Sequence, residues 1–135
     1  MTTVLDASAL LRFLDDEAGA ERVELLLNQA ASGDLSLLMS AVNWGEVIYA
    51  VAHRQGLDVA NELLRKLSSL RISVVPCSGE DAVQAALFKA RYKIPYADAF
   101  AACLAVQNSA CLITADYDFK RLPSGTLKIE LLPIK

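Results

Sequence analysis

Thr3-Val4-Leu5-Asp6-Ala7-Ser8-Ala9-Leu10 places a short apolar run directly before an aspartate, and the aspartate directly before a helix. Thr3-Val4-Leu5 suits a buried strand. Ser8 to Leu14 reads as a short helix with Leu10, Leu11 and Leu14 on one side. A carboxylate between a buried strand and an apolar helix is costly unless it caps the helix or coordinates something.

Outward from this stretch the same alternation continues. A helix is predicted over about Ala18–Ala31, with Val23, Leu26, Leu27 and Ala30 as its apolar stripe, and Ser32-Gly33-Asp34 stops it. Further strands are predicted at Leu35–Met39, Ile72–Val75, Cys111–Thr114 and Leu127–Leu131. Helices are predicted at Ala41–Arg54, Val59–Leu70 and Gly79–Tyr92, with Gly56-Leu57-Asp58 breaking the first from the second. Pro95 opens a helix that runs to about Gln107. Tyr117–Phe119 reads as a short turn or helix. Short apolar runs alternating with longer helices predict an α/β fold, a parallel sheet covered by helices on both faces. The chain has 135 residues and shows no internal repeat or linker, so a single domain over 1–135 is expected.

Hydrophobic residues make up 54% and charged residues 21%, which excludes a disordered tail. The net charge of −3 argues against a protein that grips nucleic acid by a basic surface alone. It leaves room for an enzyme that meets a phosphodiester through a metal, because the ion then supplies the positive charge. Cys77, Cys103 and Cys111 are odd in number and form no C-x-x-C pair, so buried free thiols in a reducing cytoplasm are expected. The start lacks a basic segment followed by a long apolar run, so no signal peptide is read. The uncharged stretch Ala99–Ala115 reads as helix, turn and strand, with no membrane span.

In parallel sheets the site lies at the carboxyl ends of the strands. Four acids fall there. Asp6 ends the first strand and Asp116 follows the fourth; a cap and a turn residue are the structural alternatives. Glu46 is the one charge in the run Val42–Val51, with Asn43 on the same face three residues earlier. Asp98 stands in the first turn of Tyr96-Ala97-Asp98-Ala99-Phe100-Ala101-Ala102-Cys103-Leu104, a helix apolar almost all round. A lone carboxylate there needs a partner, and the helix dipole is the alternative explanation. Close carboxylates raise one another's pKa. A hard dication such as Mg²⁺ or Mn²⁺ relieves this and prefers oxygen ligands. Ser8 and Thr114 can add hydroxyl contacts. His53 is the only histidine and reads as a surface residue, so a zinc site is not expected. No phosphate-binding glycine loop or nucleophile elbow is present.

Four segments together resemble a PIN domain, most closely a VapC-type toxin ribonuclease of a type II toxin–antitoxin system. They are Val4–Leu10, Asn43–Val47, Ile94–Ala102 and Leu112–Phe119, in this order across essentially the whole chain. The resemblance implies a three-layer sandwich with a five-stranded parallel sheet. It implies a catalytic quartet of Asp6, Glu46, Asp98 and Asp116, with Asp6, Asp98 and Asp116 as ligands of Mg²⁺ or Mn²⁺. It also implies endonucleolytic cleavage of RNA, homodimerisation and inhibition by a cognate antitoxin protein. Two acids, Asp116 and Asp118, compete for the fourth position; the Thr114-x-Asp116 spacing fits the family pattern better. A PIN nuclease of RNA maturation, a receiver-like signalling domain and a non-catalytic interaction module are the alternatives. A receiver's acceptor Asp would end the third strand, where Pro76-Cys77-Ser78 stands instead.

Two groups stay open in the sequence. Leu10, Leu14, Leu26, Leu27, Leu63 and Leu67 belong either to the core or to a face for a second copy or an antitoxin helix. Arg12, Arg54, Lys89, Arg91, Lys93, Lys120 and Arg121 are either solvated charges or the lining of an RNA path.

Overall fold

The computed structural model describes residues 1–135. Its strands are β1 (Thr2–Leu5), β2 (Ser36–Ser40), β3 (Ile72–Val75), β4 (Cys111–Thr114) and β5 (Lys128–Leu131). Its helices are α1 (Ala7–Leu14), α2 (Ala20–Ala31), α3 (Ala41–Gln55), α4 (Leu57–Leu67), α5 (Gly79–Tyr92) and α6 (Tyr96–Gln107). A 3₁₀ turn covers Tyr117–Arg121. The five strands form one sheet, all parallel, in the order β3-β2-β1-β4-β5.

That order has one reversal. The chain steps from β1 outward through β2 to β3, then returns over α5 and α6 to lay β4 on the other side of β1. The crevice at the carboxyl ends of β1 and β4 is therefore the switch point, where sheets of this kind bind ligands. Register closes the crevice tightly: Leu5 pairs with Ile113, so Asp6 and Thr114 stand side by side at the edge.

Alternation along the strands supplies two cores. Leu5, Leu37, Met39 and Ile113 pack with Leu10, Val23, Leu26, Leu27, Val47 and Leu67 from α1 to α4. Val4 and Leu112 face the other way, onto Ala99, Phe100, Ala101, Ala102, Leu104 and Ala105 of α6 and onto Ala85 of α5. The sheet is thus the middle of three layers. The alanines of α6 hold it close, since a helix with short side chains can approach a sheet closely. Gly19 before α2 has φ +92°, and a Cβ there would stand 2.9 Å from Cβ of Leu132. No helix is long and apolar enough to cross a membrane.

Several expectations change at the edges. Only Gly56, at φ +95°, interrupts α3 and α4, so α4 starts at Leu57, and it ends at Leu67 with Leu70 in a turn. Leu10, Leu26, Leu27 and Leu67 are core, and Leu14 and Leu63 pack against it. Cys77 is exposed, because it lies past β3 in the segment before α5; Cys103 and Cys111 are half-buried, and all three thiols are free. Arg12 is no candidate for a solvent path. It is buried, and its guanidinium donates to the carbonyls of Ala18 (2.6 Å) and Pro133 (2.7 Å), tying the two ends of the chain together.

Candidate active site

The switch point is built first by Asp6. Its backbone is extended, so its side chain folds back to cap α1: Oδ1 accepts the Ala9 N–H at 2.9 Å and the Ser8 hydroxyl at 2.7 Å. Oδ2 accepts the hydroxyl of Thr114. The residue is 2% exposed. Burial pushes its pKa up to about 6, although the Thr114, Ser8 and Ala9 donors hold it down; the negative charge of Asp116 adds to the rise.

Thr114 and Ser8 stitch β1 to β4. The Thr114 hydroxyl also accepts the Asp116 N–H at 2.9 Å, and Ser8 Oγ accepts the Ala115 N–H at 2.8 Å. The two hydroxyl oxygens are 3.2 Å apart. Sequence reasoning placed both near the site; their bridging role depends on two residues 106 positions apart becoming neighbours. Asp116 turns the chain: its Oδ1 accepts the Asp118 N–H at 2.9 Å, capping the 3₁₀ turn. The cap anticipated for Asp6 and the turn anticipated for Asp116 are both present, and they orient the carboxylates.

Asp98 enters from the opposite side, on the first turn of α6. Pro95 caps that helix without a side-chain acceptor. Oδ2 of Asp98 is buried and has no hydrogen-bond partner. Its pKa is raised to about 8, first by burial, then by proximity to Asp116, to which the protonated carboxyl can donate, then by the charges of Asp116, Asp6 and Glu46. Carboxylate oxygens of Asp98, Asp116 and Asp118 lie within 4.8 Å of one another. Asp118 also faces Arg121 at 3.4 Å, a pairing that Asp116 lacks.

Glu46 completes the set at the solvent rim. Its Oε1 accepts from Asn43 Nδ2 at 3.1 Å, and the same amide donates to the Ala97 carbonyl at 3.1 Å. Asn43 is 1% exposed, and its Oδ1 has no partner. Asn43 thus fastens α3 to the turn that carries Asp98. The sequence pattern showed that Asn43 and Glu46 share a face; it gave no sign of the bond to Ala97. Glu46 is shifted upward by burial, opposed by the Asn43 hydrogen bond and reinforced by Asp116. His53 is exposed, stacked on Tyr49.

The structure therefore brings Asp6, Glu46, Asp98 and Asp116 within electrostatic reach of one another, and Asp118 with them. No lysine or arginine pairs with any of the first four. The donor set is oxygen alone, which suits a hard divalent cation.

The model of the PIN domain family matches residues 3–125. No curated protein matches by sequence. Among solved structures, VapBC2 from Rickettsia felis, bound to a DNA fragment from its promoter, superposes with a TM-score of 0.73 at 18% identity, covering 98% of this chain and 100% of that one. VapBC-1 from nontypeable Haemophilus influenzae gives 0.71 at 22% identity, covering 97% and 98%. VapC20 from Mycobacterium tuberculosis, a sarcin–ricin-loop-cleaving toxin, gives 0.68 at 18%, covering 89% and 93%.

Proposed function

The chain belongs to the PIN domain family, and from that premise we propose that it is a metal-dependent endoribonuclease, the toxin of a toxin–antitoxin pair. On this reading residues 1–135 form a single PIN domain that acts in the cytoplasm as a homodimer and is silenced by a cognate antitoxin protein. The solved relatives, VapBC assemblies and a sarcin–ricin-loop-cleaving toxin, support it.

One observation carries the metal: the Asp98 carboxyl. A buried oxygen without a donor, beside other carboxylates, is a site short of positive charge. Asp6, Asp98 and Asp116 would hold Mg²⁺ or Mn²⁺. Such an ion, when bound, lowers the pKa of a coordinated water and draws charge from a phosphoryl oxygen. The protein's own contribution is positional. Ser8, Thr114 and Ala9 fix the Asp6 carboxylate so that it need not reorganise. Glu46, solvent-facing and held by Asn43, can orient the attacking water and take its proton; its raised pKa improves it as a base.

The test is direct. The purified protein should cut single-stranded RNA with Mg²⁺ or Mn²⁺, and EDTA should stop it. Asp98→Asn and Asp6→Asn should abolish cutting while circular dichroism stays native. Cleavage by either variant at the parental rate would remove the quartet assignment. Growth arrest on expression, relieved by co-expressing a small neighbouring reading frame, would separate a toxin from a nuclease of RNA maturation.

A further inference from the structure

Beside the acidic site lies a groove of opposite character. Arg91, Tyr92, Lys93, Arg121 and the segment Pro123 to Thr126 line it, between the carboxyl end of α5 and the approach to β5. We propose that this groove is the path by which single-stranded RNA reaches the acids, with Arg91, Lys93 and Arg121 holding its phosphates. The proposal rests on the nuclease reading above and adds where the substrate lies.

Three observations carry it. The first is local charge. In a chain of net charge −3, three of the thirteen basic residues, Arg91, Lys93 and Arg121, line this groove, and Lys89 reaches the Ile94 carbonyl next to them. Their one carboxylate contact is Asp118 with Arg121. The helix dipole explains Lys89, whose Nζ donates to the Ile94 carbonyl at 3.1 Å past the end of α5. Arg91 in the last turn and Lys93 at the C-cap share that explanation, whereas Arg121 comes from a separate element and joins them in the groove.

The second is continuity with the acids. Arg121 bridges two neighbours: one amino group faces Asp118 at 3.4 Å, and the other donates to the Lys93 carbonyl at 3.1 Å. Asp118 in turn lies within 4.8 Å of the carboxylate oxygens of Asp98 and Asp116. Lys93, in the left-handed conformation at φ 59°, starts the short turn into α6. A strand gripped there lies one side chain, Asp118, away from the acids.

The third is composition. The Arg91 guanidinium lies 5.2 Å over the Tyr92 ring, and both line the groove. Cations interleaved with a flat aromatic face suit unpaired bases and their phosphates. An acidic protein segment would meet the charges but would have no use for that plane.

The experiment measures binding of a fluorescein-labelled 12-nucleotide single-stranded RNA in EDTA, from 50 to 300 mM salt, to the parent and to Arg91→Gln/Lys93→Gln. Each lost phosphate contact should flatten the log–log salt slope by about 0.7, so the pair by about 1.4, with weaker binding at every salt concentration. Mn²⁺ affinity, read by electron paramagnetic resonance, should stay within twofold. Arg65→Gln/Lys66→Gln on α4 should leave the slope unchanged. A parental slope in the groove variant, or an equal change in the α4 variant, overturns the path. A parent that cuts RNA while the groove variant binds normally leaves the nuclease reading standing and the groove wrong. A parent that binds through the groove and never cuts does the reverse, and a parent that binds no RNA removes both.

Discussion

Asp6 and Asp98 are withdrawn from water at the same edge of the sheet, yet the seams that hold them are built on opposite plans. On the β1–β4 seam Asp6 is 2% exposed, and a backbone N–H and two hydroxyls meet its oxygens. On the α3–α6 seam Asp98 keeps more solvent, but its Oδ2 has no donor and its neighbours are acids. The less buried group is the more perturbed, about 8 against about 6. Burial sets the cost of a charge, and donors decide how much of that cost remains. A cation is therefore demanded chiefly on the Asp98 side, while the Asp6 side supplies a rigid floor.

The largest expected effect on folding comes from breaking the floor. Thr114→Val keeps the shape but removes the donor to Asp6 and the acceptor for the Asp116 N–H. An ionised buried carboxylate that loses such a bond costs about 2–3 kcal/mol. Urea unfolding in EDTA at pH 8 should show that loss, and it should shrink near pH 4.5, where Asp6 is protonated. A variant as stable as the parent at pH 8 would mean that Asp6 does not depend on its donors.

The Asp98 side should respond with the opposite sign. Its folded-state pKa lies above the unfolded value, so the folded protein holds a proton that the unfolded chain has released. Stability of the metal-free protein therefore falls as pH rises from about 4 to about 8. Solvent near this half-buried group screens the effect, leaving about 1–2 kcal/mol. Asp98→Asn should recover that amount at pH 8 and nothing at pH 4. Mn²⁺ should flatten the parental pH profile and leave that of the variant unchanged. A parent whose melting temperature rises over this range would contradict the cluster's repulsion.

Some of this could be read in the chain before folding. Asp98 stood out because an apolar helix offers one carboxylate few partners, and α6 does bury Ala99–Ala102, Leu104 and Ala105 just after it. Asn43 and Glu46 were linked by helical spacing alone. What depended on strand order was hidden. Ser8 and Thr114 meet because β4 returns to lie beside β1, and no local pattern encodes that return. Arg12 read as a solvent cation because its acceptors are carbonyls, one from a loop and one from residue 133. Spacing favoured Asp116 over Asp118 but did not separate them in space, since a tight 3₁₀ turn keeps both at the crevice; contact with Arg121 is what sets Asp118 apart.

Glu46 supplies the smallest effect on stability and the sharpest separation of the two plans. It faces solvent, and its one protein bond, from Asn43, is kept by a glutamine whose carbonyl accepts as the carboxylate does. Asn43 remains tied to Ala97 in either case. Glu46→Gln should therefore leave unfolding free energy within about 0.5 kcal/mol of the parent. If Glu46 takes the proton from the attacking water, the same change should slow RNA cleavage by about 10²–10⁴-fold, a scale set by removal of a general base. Single-turnover cleavage beside a denaturation curve reads both. A stability loss comparable to that of Thr114→Val would make Glu46 part of the floor, and an unchanged cleavage rate would leave it a rim charge. The expected pair, silent in folding and severe in chemistry, is the behaviour of a group that the fold positions without depending on it.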